Sequence, residues 1–164
     1  MPKITERGIH IIKQWERFRA KPYHDVSVMS IGFGHSSLME PAFTAGDTWT
    51  IEHAEEVLRD HDIPYFEKLI LPHLTVDIRD ELYSGIISIG FNKGAGRLVR
   101  SDEWKILHDT TDTYRQDNFA EAMLHYAVAV EDHTTHELTE KRGLRWRRIA
   151  EMGQYFADRM DGYL

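Results

Sequence analysis

The stretch Trp15-Glu16-Arg17-Phe18-Arg19-Ala20-Lys21-Pro22-Tyr23-His24-Asp25-Val26-Ser27-Val28-Met29-Ser30-Ile31-Gly32-Phe33-Gly34-His35 decides how the rest of this chain is read. Its first carboxylate, Glu16, closes an apolar helical pattern. Ile9, Ile12 and Glu16 recur at i, i+3 and i+7, one face of a helix that Thr5 is placed to cap. Burial of a carboxyl among apolar side chains disfavours its anion, which is how a general acid keeps its proton near neutral pH. The other reading open here puts Glu16 at the edge of the stripe, paired with Arg17, Arg19 or Lys21. Asp25 follows Pro22-Tyr23-His24 and so belongs to extended or turn structure. Ser30 supplies a small hydroxyl, and Gly32 and Gly34 bracket Phe33, a sign of a bulge or a close backbone approach. Singly, Asp25 reads as a turn residue, Ser30 as an ordinary strand serine and His35 as a structural histidine. Together, a dry acid, a wetter acid and a hydroxyl suit glycoside hydrolysis.

Glu16-x8-Asp25 followed by Ile31-Gly32-Phe33-Gly34-His35 resembles the phage-type lysozyme family, the endolysin muramidases of glycoside hydrolase family 24 type. Glu16-Arg17-Phe18-Arg19 stands where the family has Glu-Gly-Phe-Arg. Thr44 to Glu55 resembles the loop and cap of its second helix. Ser88-Ile89-Gly90-Phe91-Asn92-Lys93-Gly94-Ala95-Gly96 resembles its central Phe-Asn-x-Gly-Ala-Gly segment, and Gly143-Leu144-Arg145-Trp146-Arg147-Arg148-Ile149-Ala150-Glu151 its C-terminal signature. These matches run in family order over nearly the whole chain. The resemblance implies hydrolysis of the β-1,4 bond between N-acetylmuramic acid and N-acetylglucosamine in peptidoglycan, with inversion and no cofactor or metal. Glu16 would protonate the leaving oxygen, Asp25 would stabilise an oxocarbenium-like transition state, and Ser30 would hold the water. Asn92, Phe33, His35 and Arg148 are the implied substrate-binding positions; from spacing alone Asn92 is equally a helix C-cap.

Two departures bear on that chemistry. The family has six positions from its aspartate to a threonine, with a glycine between. Here Asp25 to Ser30 is five, without the glycine, and serine replaces threonine. A one-residue deletion in a hairpin can flip which side chains face inward, and serine lacks the β-branch that stiffens χ1. The rivals are therefore a lytic transglycosylase, which needs only the acid, and a weakly active peptidoglycan-binding module.

The expected fold is α+β, mostly α: a lysozyme-like single domain over 1–164. Residues 1–70 would form a small lobe with the active-site hairpin and 71–164 a helical lobe, the cleft lying between them. At 164 residues without cysteine, the chain has room for a core and needs no disulfide. A formal charge of −7 argues against nucleic-acid or anionic-membrane partners. The expected partner is the bacterial peptidoglycan glycan strand, met by a monomer. Met1-Pro2-Lys3-Ile4-Thr5-Glu6 is not a secretory signal, so the expectation is a protein made in the cytoplasm that acts on the wall after release. Lys141, Arg142, Arg145, Arg147 and Arg148 crowd near the C-terminus, either as a solvated helix start beside Glu137, Glu140 and Glu151 or as a basic rim on the cleft.

Helices are expected in five further places. One is capped by Thr50 and carries Ala54, Val57, Leu58 and His61, with a kink or break near Asp62 ahead of Pro64. A central core helix spans Val76 to Asn92, striped by Ile78, Leu82, Ile86 and Ile89 and ended by Gly94 and Gly96. A short one runs from Ser101 to His108. Another runs from Gln116 to Val130, with Ala120, Met123, Leu124, Ala127 and Val128 inward. The last, Leu144 to Met160, turns Ile149, Met152, Phe156 and Met160 to the core. Between the last two, His133-x-x-His136 reads as a zinc pair or as a polar loop.

Overall fold

The computed structural model describes residues 1–25, 28–131 and 138–161, and of Asp25 and Glu131 the backbone alone. Helix α1, Glu6–Glu16, starts where Thr5 accepts the Gly8 N–H at 3.0 Å. Its stripe of Ile9, Ile11 and Ile12 is buried. Gly8 lets α1 lie directly on the central helix, since a Cβ there would come within 2.5 Å of the Ser84 Cβ. Arg17, at φ 58°, turns the chain out of α1.

A three-stranded antiparallel sheet follows: β1 Arg19–Asp25, β2 Val28–Gly32 and β3 His35–Ser36. Tyr23, His24 and Asp25 pair with Ser30, Met29 and Val28. Strand β2 is buried on both faces at Ser30 and Ile31, which explains why it shows no simple alternation.

Helix α2, Ile51–Val57, is capped by Thr50, whose hydroxyl accepts from His53 N. The expected break at Asp62 is instead a π turn, Leu58–Asp62, that leads straight into α3, Ile63–Ile70. Pro64 has no N–H to offer and would crowd the carbonyl four residues back. The wider turn absorbs both problems without ending the helix, and Asp62 is carried inward to 1% exposure.

The core is built round α4, Asp80–Lys93, buried continuously from Leu82 to Gly90 and packed on α1, α3 and the last helix. It begins later than Val76. Gln116 holds the preceding backbone outside the helix, receiving Arg79 N at 3.2 Å and donating to Asp77 O at 3.3 Å. Gly94, at φ 86°, ends it. Short helices α5, Ala95–Leu98, and α6, Asp102–Leu107, follow, the latter capped by Ser101 as expected.

Two helix readings need correction. Helix α7, Arg115–Met123, stops seven residues before Val130. Ala127 takes φ 50°, and the chain becomes β4, Ala129–Glu131, paired antiparallel with β5, Leu138–Glu140. Helix α8, Arg142–Asp161, buries only half of the expected apolar stripe: Met152 is in the core and Phe156 packs against it. Ile149 is 39% exposed and Met160 67%, while Arg147, Arg148, Glu151, Met152, Gln154 and Tyr155 face inward. The inner face of α8 carries an ionic network beside Met152 and Tyr155, and Ile149 and Met160 are left outside. Among the described residues, no helix is long and apolar enough to cross a membrane.

Candidate active site

Glu16 is the last residue of α1, and three other elements close on it. Its Oε1 accepts from Arg147 Nη1 of α8 at 2.7 Å. Its Oε2 lies against Gly34, where a Cβ would meet it at 3.3 Å and meet Phe91 of α4 at the same distance. Gly34 is needed twice over, for that approach and for φ 86°. The Glu16 side chain keeps 20% exposure. Its partner is neither Arg17, Arg19 nor Lys21 but a residue 131 positions away.

Arg147 is itself held from behind. Its Nε donates to Glu151 Oε1 at 2.9 Å, and Ser88 Oγ donates to the same oxygen at 2.6 Å. Arg148 donates to the other Glu151 oxygen and to Asn92 Oδ1. Burial pushes the Glu151 carboxyl up from the ordinary range, and Arg148, Arg147 and Ser88 pull against that rise. A fully buried carboxylate with two guanidiniums and a hydroxyl on it is well compensated. The effect is a rigid platform of α4 and α8 that aims one guanidinium fork at Glu16.

Tyr23 opposes Ser30 and Asp25 opposes Val28, so positions 25 and 30 fall on one face of the ladder, two residues apart in register. Ser30 sits at 4% exposure in the middle of β2.

The four positions expected to touch substrate divide. Asn92 is half-buried, with its Oδ1 on Arg148. Arg148 is fully buried, so it reaches a ligand only through Asn92. Phe33, 5% exposed, packs its ring 5.7 Å from that of Phe18. His35 is 1% exposed, with Nδ1 2.6 Å from Asp62 Oδ1 and Nε2 2.9 Å from Pro41 O. Both ring nitrogens meet acceptors, so the imidazolium donating twice satisfies the site. Burial works against that cation, but the Asp62 carboxylate and the Pro41 carbonyl outweigh it and hold the His35 pKa above its ordinary value. Phe33, His35 and Arg148 are buried, as Ser30 is.

Asp62, Ser88 and Glu151 were not foreseen in these roles. The i, i+3 and i+4 steps from Arg148 and Arg147 to Glu151 were a usable signal; the Asp62 contact, 27 residues from His35, left none. Of the basic cluster, Arg147 and Arg148 belong to this buried network, and Lys141 and Arg142 are exposed. The His133 and His136 pair lies outside the described residues.

The sequence profile of the phage lysozyme family matches residues 13–151. The chain is 32% identical over 102 residues to an endolysin of Bacillus phage B103, an alignment covering 60% of this chain and only 37% of that protein. It is 33% identical over 106 residues to an endolysin of Acyrthosiphon pisum secondary endosymbiont phage 1, covering 64% and 69%. The muramidase domain of SpmX from Asticaccaulis excentricus shares the fold, with a TM-score of 0.80 at 21% identity over 94% of this chain and 98% of that one.

Proposed function

The chain belongs to the phage lysozyme family, and from that premise we propose that it is a peptidoglycan hydrolase. It cleaves the β-1,4 bond between N-acetylmuramic acid and N-acetylglucosamine, acting as a monomer on glycan strands of the bacterial cell wall. The observation that supports this best is the setting of Glu16: one carboxyl oxygen on Arg147, the other against Gly34, the side chain 20% exposed.

Glu16 is the general acid that protonates the leaving oxygen. Arg147 holds the carboxyl in one orientation and stabilises the carboxylate left when the proton has gone. Asp25 opposes the positive charge that develops on the sugar ring, and Ser30, on the same face of the hairpin, holds the attacking water. Asn92 contacts the glycan. Phe33, His35 and Arg148 hold these groups in place from behind. Residues 1–70 and 71–164 form the two walls of the cleft.

Release of new reducing ends from purified peptidoglycan tests the reading. Glu16→Gln keeps the shape and removes the transferable proton, so release should fall by about a hundredfold or more. Equal release by both proteins puts the acid elsewhere. Products ending in an anhydro sugar, without new reducing ends, make the protein a transglycosylase.

A further inference from the structure

We propose that the groove between β5 and the first turns of α8 is a second glycan-binding subsite, in which Trp146 stacks on a sugar ring and Arg142 and Arg145 take a carboxylate carried by the wall. The inference rests on the peptidoglycan reading for its ligand. The groove is lined by Glu140, Arg142, Arg145, Trp146 and Ile149 and holds about 360 Å³, within the range of small-molecule sites.

Three observations favour a glycan there. The first is the exposed aromatic. Trp146 is 57% exposed and Ile149 39%, on a helix whose inner face holds the ionic network. A tryptophan with an open face is a low-entropy platform for the apolar face of a sugar. The second is charge. The chain carries a formal −7, yet Arg142 and Arg145 line this groove beside Glu140. Arg145 is held over the groove loosely, 3.6 Å from Glu140 and 3.2 Å from His125. An exposed pair of that length contributes little and yields readily to an incoming carboxylate. The third is continuity. Trp146 directly precedes Arg147, whose guanidinium is 2.7 Å from Glu16. A polymer cut at Glu16 has further sugars to place, and α8 carries both the Arg147 partner of Glu16 and the lining of this groove.

Cosedimentation of the Glu16→Gln protein with insoluble peptidoglycan reads binding without turnover. In that background Trp146→Ala should weaken binding about five- to tenfold, and Trp146→Tyr should stay within about twofold of the parent. Amidating the wall carboxylates should weaken the parent about fivefold and leave an Arg142→Ala, Arg145→Ala double variant indifferent. Thermal unfolding checks that each variant is folded, and the amidation arm stands even if Trp146→Ala is not. Unchanged binding by folded Trp146→Ala overturns the stacking platform. Equal sensitivity to amidation in parent and double variant overturns the carboxylate contact. A wild-type protein that releases no sugar, while binding still depends on Trp146, refutes the hydrolase and leaves the subsite standing. Sugar release without any Trp146 dependence does the reverse.

Discussion

Two buried ionic clusters do different jobs here. The pair of His35 and Asp62 is sealed, with side chains 1% and 2% exposed, and ties β3 to the π turn. The cluster of Glu151, Arg147, Arg148, Ser88 and Asn92 has an outlet, because Arg147 passes from fully buried Glu151 to half-buried Glu16. A sealed pair can only hold the fold. A network with one open end can also aim a group at something outside. Burial of charge is costly in both places, and only in the second does the cost bring a reactive carboxyl into a fixed direction.

The sharpest way to break that contrast is at its most buried atom. Glu151→Ala leaves two guanidiniums without their shared acid, and should lower the free energy of unfolding by about 3–5 kcal/mol in chemical denaturation. A loss below about 1 kcal/mol would mean that the network is not rigid enough to position Arg147. The sealed pair should answer to pH instead. The His35 pKa is raised in the folded protein, so the pair's contribution is fully present below the unfolded value of about 6.5 and is lost as pH rises through the folded value. Asp62→Asn should cost about 1–3 kcal/mol at low pH, with the gap to wild type narrowing as pH rises; a gap that stays constant would show that His35 is not the titrating group. The smallest effect belongs to the outer side of α8. Met160, 67% exposed, should accept Gln with a change within about 0.5 kcal/mol in thermal or denaturant unfolding. A large loss there would restore the apolar stripe that the sequence suggests.

What could be read in advance was local. Thr5, the isoleucine stripe and Glu16 lie within three turns of one helix, and Thr50 and Ser101 cap the helices they precede. Pro22 marked extended or turn backbone and Gly32 and Gly34 a close approach, and the family resemblance supplied the hairpin. Reading failed where a distant partner overrides a local pattern. Periodicity made Ile149, Met152, Phe156 and Met160 core; Met152 and Phe156 do pack there, but in α8 the charges found partners inside and Ile149 and Met160 were left out. The run from Gln116 to Val130 read as one helix because nothing local announces that Val128 and Ala129 will pair with β5. Phe33 and His35 stood out by their neighbours in sequence, whereas Phe18 and Asp62, which pack against them, are brought there by folding.

The π turn sets a clock for everything after it. Each residue advances an α-helix by about 100°, so the one extra residue in Leu58–Asp62 rotates all of α3 by about that angle relative to an uninterrupted helix. That phase is what turns Ile63 and Ile70 to the interior and leaves Tyr65 and Leu69 outside. It also aims Asp62 at the β-sheet. Chain length in this segment therefore carries information that residue identity alone does not: two sequences differing there by one position would turn faces of α3 about 100° apart to the core.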